Sequence, residues 1–164
     1  MRMRRPCIRE YAVKLLFSEI IYDVNFATWK RASQLDTGEK EKNKKELSEQ
    51  EQFFILRQVE TAIANILSTF SWCTKHHYHY QSDEIREAPK DWDIIFRFSD
   101  EWRGNIRTIK DYLHKYVVEY ILCEWYRLTD PASSAEALSL AEDWLHKALM
   151  EARSVKLKDV RFIL

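Results

Sequence analysis

Glycine and proline are scarce in this sequence: two Gly and three Pro in 164 residues. Such a chain has no glycine-rich loop to cradle a phosphate, too few tight turns for a β-sandwich, and no flexible glycine linker. Neither G-x-S-x-G nor G-x-x-x-x-G-K-[ST] occurs, so a nucleophile elbow and a P-loop are excluded. Cysteine is almost as sparse. Cys7, Cys73 and Cys123 are odd in number and far apart, with no C-x-x-C pair, which argues against a disulfide framework or a cysteine zinc site and for a reducing compartment. No apolar run approaches the roughly 18–20 residues of a membrane span. The basic start MRMRRPCIREYAVKLLF is broken by Arg9, Glu10 and Lys14, and no small-residue cleavage site follows, so the expectation is a soluble protein not exported by a signal peptide. Net charge is missing too. Lys plus Arg and Asp plus Glu stand at 26 each, leaving no bulk field toward nucleic acid or an anionic membrane.

What the chain does have is helical periodicity and aromatic rings, which make up 13% of it and include six Trp. Rings beyond the needs of a core often end in interfaces, which points to partners rather than substrates. The stretch Asn105–Leu128 is the organising element: Ile106, Ile109, Leu113, Val117, Tyr120, Ile121 and Trp125 recur at helical steps, and Tyr112, Tyr116, Val118, Leu122 and Cys123 widen the stripe past half the circumference. Other helices must surround it. Upstream, a first helix is expected from Pro6 to about Arg31, with Ile8, Tyr11, Ala12, Leu15, Leu16, Glu19, Tyr22, Phe26 and Trp29 in helical register and Val13, Phe17, Ile20, Ile21 and Val24 on adjacent rows. A second is expected to follow the capping-box spacing Ser48-x-x-Glu51 and run to about Trp72, burying Phe53, Leu56, Val59, Ile63, Ile66, Leu67 and Phe70. Thr129-Asp130-Pro131 ends the third, and Ser133-x-x-Glu136 opens a fourth from Ser134 to about Ser154, with Leu138, Ala141, Leu145, Ala148, Leu149 and Ala152 inward.

Between the second and third helices the period changes to two. Tyr78 and Tyr80 alternate with His77 and His79, and Ile94, Phe96 and Phe98 alternate with Ile95, Arg97 and Ser99, the pattern of a small antiparallel hairpin. The expected fold is therefore mainly α: a four-helix antiparallel bundle-like domain spanning 1–164, with the hairpin inserted at 76–99, an exposed charged loop at 33–47 and a C-terminal arm at 155–164.

Candidate chemistry is thin. His77 and His79 would share a strand face and chelate a metal only weakly, with no third ligand near in sequence. Asp111-x-x-His114 and Asp143-x-x-His146 have the carboxylate-x-x-His spacing of di-iron bundles, with Glu19 and Glu60 as possible additions, yet project from polar helix flanks. Asp91, Asp93, Asp100 and Glu101 cluster around Trp92 and Trp102 in a pattern that loop-end capping and aromatic packing explain. Arg2, Arg4 and Arg5 form a basic arm, with Arg153, Lys156, Lys158 and Arg161 at the other end, suited to phosphate contacts without sequence preference. No catalytic residue and no cofactor is expected; the hairpin residues Tyr78, Tyr80, Ile94, Phe96 and Phe98, with Phe162 and Leu164, are the expected interface.

Two stretches carry a resemblance. Arg5-Pro6-x-Ile8-x-Glu10-Tyr11-Ala12-Val13-Lys14-Leu15-Leu16 and Tyr116-Val117-Val118-Glu119-Tyr120-x-Leu122-x-x-Trp125-Tyr126 are similar to small helical virion-assembly proteins of tailed phages and prophages, of the head–tail connector, adaptor or tail-completion type. The resemblance covers about a quarter of the chain and leaves out the polar loop and the HHYHY stretch. It implies a non-enzymatic subunit that forms homo-oligomers and contacts other virion proteins, in the virion or host cytoplasm. The residue-level alternatives are a regulatory or nucleic-acid-binding helical protein using its basic arm, and a metal-dependent bundle enzyme.

Overall fold

The computed structural model describes residues 7–35, 49–75 and 91–154. In chain order the elements are β1 (Ile8–Leu16), α1 (Phe17–Leu35), α2 (Glu49–Thr69), β2 (Asp91–Ser99), α3 (Ile106–Tyr126) and α4 (Pro131–Ala152). The protein is mainly helical with one two-stranded antiparallel sheet, β1 against β2.

Two expectations are corrected here. The first element is not one helix from Pro6 to Arg31 but a strand, Ile8–Leu16, running into a helix that begins at Phe17. The hairpin is not confined to the segment between the second and third helices either, because β2 pairs with β1 from the start of the chain. Both follow from one fact of register. Tyr11, Val13 and Leu15 lie opposite Phe96, Ile94 and Trp92, and turn toward the helices, while Glu10 and Lys14 lie opposite Arg97 and Asp93 on the solvent side. Lys14 reaches Asp91 at 3.2 Å and Asp93 at 3.9 Å, and Glu10 meets Arg97 at 2.9 Å and Lys75 at 3.8 Å. A one-residue slip would turn the charges inward and the rings outward, so the register is fixed from both faces. The expected strand at 77–80 lies outside the described residues. Beside β2, opposite β1, sits instead the segment after α2: Lys75 N–H donates to the Ile95 carbonyl at 2.9 Å, and Arg97 N–H to that of Cys73 at 2.6 Å.

A two-stranded ribbon is marginal in water, and this one is backed by rings. Phe70 meets Phe96 edge-on at 5.5 Å, Phe98 stacks on Trp102 at 4.1 Å, and Tyr11 lies 5.3 Å from Trp102. Ile94, Phe96 and Phe98, expected at a subunit interface, are core residues, each no more than 4% exposed. Their side chains are out of a partner's reach.

α3 runs through the centre, as its apolar girth requires. Ile109, Leu113, Val117 and Ile121 are fully buried, joined by Tyr116, Val118, Leu122 and Cys123. Asn105 caps the helix, its side chain accepting from Arg107 N–H at 2.9 Å. α4 packs antiparallel beside it through Ala137, Ala141, Ala148 and Ala152, small residues that let the two backbones come close. At one end Ser134 Oγ donates to the Cys123 carbonyl at 2.9 Å; at the other the Glu151 carboxylate accepts from Asn105 N–H at 2.6 Å, and Trp102 Nε1–H donates to the Glu151 carbonyl at 3.2 Å. Gly104 sits in this crossing, where a Cβ would fall 2.5 Å from the Glu151 carbonyl oxygen and from the Trp102 ring.

The start of α4 is also corrected. Its cap is Asp130 rather than the Ser133-x-x-Glu136 box, with the carboxylate accepting from Ser133 N–H at 3.2 Å and from the Ser133 hydroxyl. Pro131 takes the first helical position, where its missing N–H costs nothing. Inward positions shift accordingly: Leu138 is exposed and Ala137 buried. On α2, Phe53 likewise turns out to solvent while Ile55, Val59, Ala62, Ile63 and Ile66 face in. Ser48, the expected cap of α2, lies outside the described residues.

Candidate interaction surface

α1 carries two apolar rows, and only one of them is used by the core. Ile20 and Val24 are buried, with Phe17, Ile21 and Ala27 packed alongside. About half a turn around the helix stand Tyr22, Phe26 and Trp29, at 69%, 52% and 51% exposure. Phe26 and Trp29 touch each other, ring centroids 6.1 Å apart. Single exposed apolar residues are ordinary on a protein surface, and Phe53, Trp72 and Leu128 are of that kind. A row of three rings at i, i+4 and i+7 is a continuous patch, the sort of surface that marks a contact site.

Next to this row lies an open cleft of about 390 Å³ lined by Ser18, Glu19, Tyr22, Asp23 and His114. His114, on α3, is mostly buried, and its Nε2 lies 2.6 Å from Asp23 Oδ2 on α1. The pair ties α1 to α3 and holds the Asp23 carboxylate at the cleft wall. His114, expected on a polar flank, is instead turned toward α1, while Asp111 is exposed. Asp143 pairs with Lys147 at 2.6 Å, and His146 is exposed, so the two carboxylate-x-x-His motifs do not converge. Glu19 reaches the cleft; Glu60 is on the exposed side of α2. Among the described residues no group of three His, Cys, Asp or Glu is placed to hold a metal ion.

The other expected residues divide in two. His77, His79, Tyr78, Tyr80, Phe162, Leu164, Arg2, Arg4 and Arg5 lie outside the described residues, as do Lys156, Lys158 and Arg161. The acidic cluster near Trp92 and Trp102 is structural where it is paired: Asp91 and Asp93 hold Lys14, while both rings pack inward. The hydrogen bond to Asp91, then the charges of Asp91 and Asp93, raise the Lys14 pKa above its ordinary value. Of the six Trp, four are used in packing. Trp92 and Trp102 join the sheet, Trp125 meets Phe54 at 5.9 Å, and Trp144 stacks on Tyr112 under Lys115 and Lys147.

Tyr22, Phe26 and Trp29 were legible only in part. Helical spacing places them on one row, yet that row reads as core while Ile8 to Leu16 are taken into the same helix. The signal that separates them is the second row through Ile20 and Val24, opposite the first, because a helix at a core edge has use for only one. Among the described residues no helix is long and apolar enough to cross a membrane. No protein-family model matches the sequence, and comparison with curated proteins and with solved structures returns no match.

Proposed function

We propose that this chain is a non-enzymatic structural or assembly protein, acting through contacts with further copies of itself and with other virion proteins, in the manner of a head–tail connector or tail-associated subunit. In this reading the four helices act together as a bundle-like body that presents surfaces. The observation that carries it is the exposed aromatic row of α1, which the core leaves to solvent. An assembly subunit needs a rigid body and a patch of this kind, because aromatic side chains supply most contact energy at little entropic cost. The likeness of its two stretches to phage assembly proteins supports the particular class.

Sedimentation velocity of the full chain across a concentration series tests the proposal. A discrete oligomer, or closed rings in electron micrographs, is the expected result. A chain that stays monomeric throughout overturns it.

A further inference from the structure

We infer that α1 is a self-docking helix: its aromatic row packs antiparallel against the same row of a second copy, and Lys30 of each chain enters the Glu19–Asp23 cleft of the other. This rests on the assembly reading and names the partner for one of its surfaces.

Three features choose that occupant. The first is the spacing of the rings. Tyr22 and Trp29 stand about equally far on either side of a point next to Phe26, so a two-fold axis through that point sets Tyr22 against the partner's Trp29 and brings the Phe26 rings together at the centre. A surface that is its own complement under two-fold rotation is what an isologous contact requires. A partner of unrelated sequence would have no such demand on the order of residues.

The second is charge. The same rotation brings the partner's Lys30 level with Ile21, midway between Glu19 and Asp23 along the helix. On a helix of 3.6 residues per turn, positions 19, 23 and 30 also fall on one flank of the aromatic row. A two-fold axis perpendicular to the helix pair keeps that flank on the same side of both helices, so each lysine meets two carboxylates, twice per dimer. A parallel pair, whose two-fold axis runs along the helices, would instead put that flank on opposite sides of the seam and leave each lysine away from the carboxylates. Charge complementarity of this sort fixes orientation more than it adds affinity.

The third is that the receiving site already exists. Glu19 and Asp23 line the open cleft, and the Asp23 carboxylate is held at its wall by His114. A contact formed by one helix from each chain lies at the low end of specific interfaces, on the order of 1,000 Å², and belongs with micromolar dissociation constants.

The test uses the full chain and four variants, followed by sedimentation equilibrium. Phe26→Glu places a charge at the centre of the contact and is expected to abolish pairing through α1. Lys30→Glu sets acid against acid and should weaken association about tenfold. Glu19→Lys combined with Lys30→Glu exchanges the charges and should restore most of that loss, which a merely damaged fold would not do. A chain carrying Tyr22→Cys mixed with one carrying Trp29→Cys should cross-link across the two chains on oxidation, whereas Tyr22→Cys alone should not link to itself. Self-linking of Tyr22→Cys overturns the antiparallel arrangement. An oligomer indifferent to Phe26→Glu overturns self-docking through α1 and leaves the assembly reading standing; a strict monomer overturns both.

Discussion

α1 and α3 are both helices crowded with aromatic and branched side chains, and the structure treats them in opposite ways. α3 has eight buried residues, and is covered by α4, by α2 and by the side that carries β1 and α1. α1 buries Ile20 and Val24 and leaves three rings in water. Apolar content alone therefore does not say what a helix is for. The number of neighbours that reach it decides, and a helix at the edge of the core keeps a row that stability does not consume. The physical consequence is a separation of roles, with α3 holding the fold and α1 free to hold something else.

Truncation should tell the two helices apart most directly. Ile121→Ala removes a fully buried side chain from α3 and is expected to cost about 2–5 kcal/mol, read as a lower midpoint in urea unfolding. Phe26→Ala removes a larger side chain from α1, yet should stay within about 0.5 kcal/mol under dilute conditions, as surface changes do. Equal losses at the two sites would show that α1 is also core and would remove the basis for an interface there.

Gly104→Ala comes next in size. The added Cβ meets a backbone carbonyl of α4 and the edge of a ring already stacked on Phe98, neither of which is a flexible tip. Overpacking of this kind costs about 1–3 kcal/mol. Hydrogen exchange should localise the damage to the start of α3 and the end of α4, leaving α1 unaffected. Uniform loss of protection would mean that α1 and the α3–α4 crossing open as one unit.

The contrast also shows how much of the molecule its sequence discloses. α3 is legible almost to the residue because its stripe is continuous, while its cap, Asn105, is shown only by the structure. The end of α3 and the short join to α4 are legible from Thr129-Asp130-Pro131, although the capping residue is Asp130 rather than Ser133. β1 is not. Its residues satisfy a helical and an alternating pattern at once, and what decides between them is β2, some eighty residues later, a partner that no local window contains. From that one ambiguity came both the misplaced first helix and the assignment of Ile94, Phe96 and Phe98 to an interface. The surface of α1 was hidden for the same reason, and the Asp23–His114 pair because it joins two helices whose relative rotation the sequence leaves open.

Thiol accessibility distinguishes exposed from buried regions without perturbing the fold. Cys7 is exposed at the entrance to β1, while Cys73 and Cys123 are buried. Burial also pushes the Cys73 thiol up to about 12, so thiolate is scarce there at ordinary pH. Under native conditions one thiol per chain should react promptly with a thiol reagent, and the other two only on unfolding. Early labelling of Cys123 would mean that α3 and α4 separate readily despite the close packing of their small residues.

A smaller effect is expected between α3 and α4 themselves. Glu119, on α3, has its carboxyl pKa raised first by desolvation where the helix is half-buried, and second by the charge of Glu136 on α4. A carboxyl raised in the folded state keeps its proton to a higher pH than the same group in the unfolded chain. Between the ordinary carboxylate value, roughly 4.3, and the raised one, the folded state binds more protons, so this group's contribution to stability falls as pH rises through that window. Above it the cost is fully present. Glu119→Gln should therefore stabilise the protein modestly at neutral pH, with the gain shrinking as pH drops through the window. Glu136→Gln should act in the same direction and more weakly, since it removes only the second cause. Unfolding midpoints of the three chains at neutral pH and near pH 4 provide the reading. A gain independent of pH would assign the effect to helix propensity, and a loss at neutral pH would mean that the Glu119 carboxylate holds the α3–α4 pair together instead of straining it.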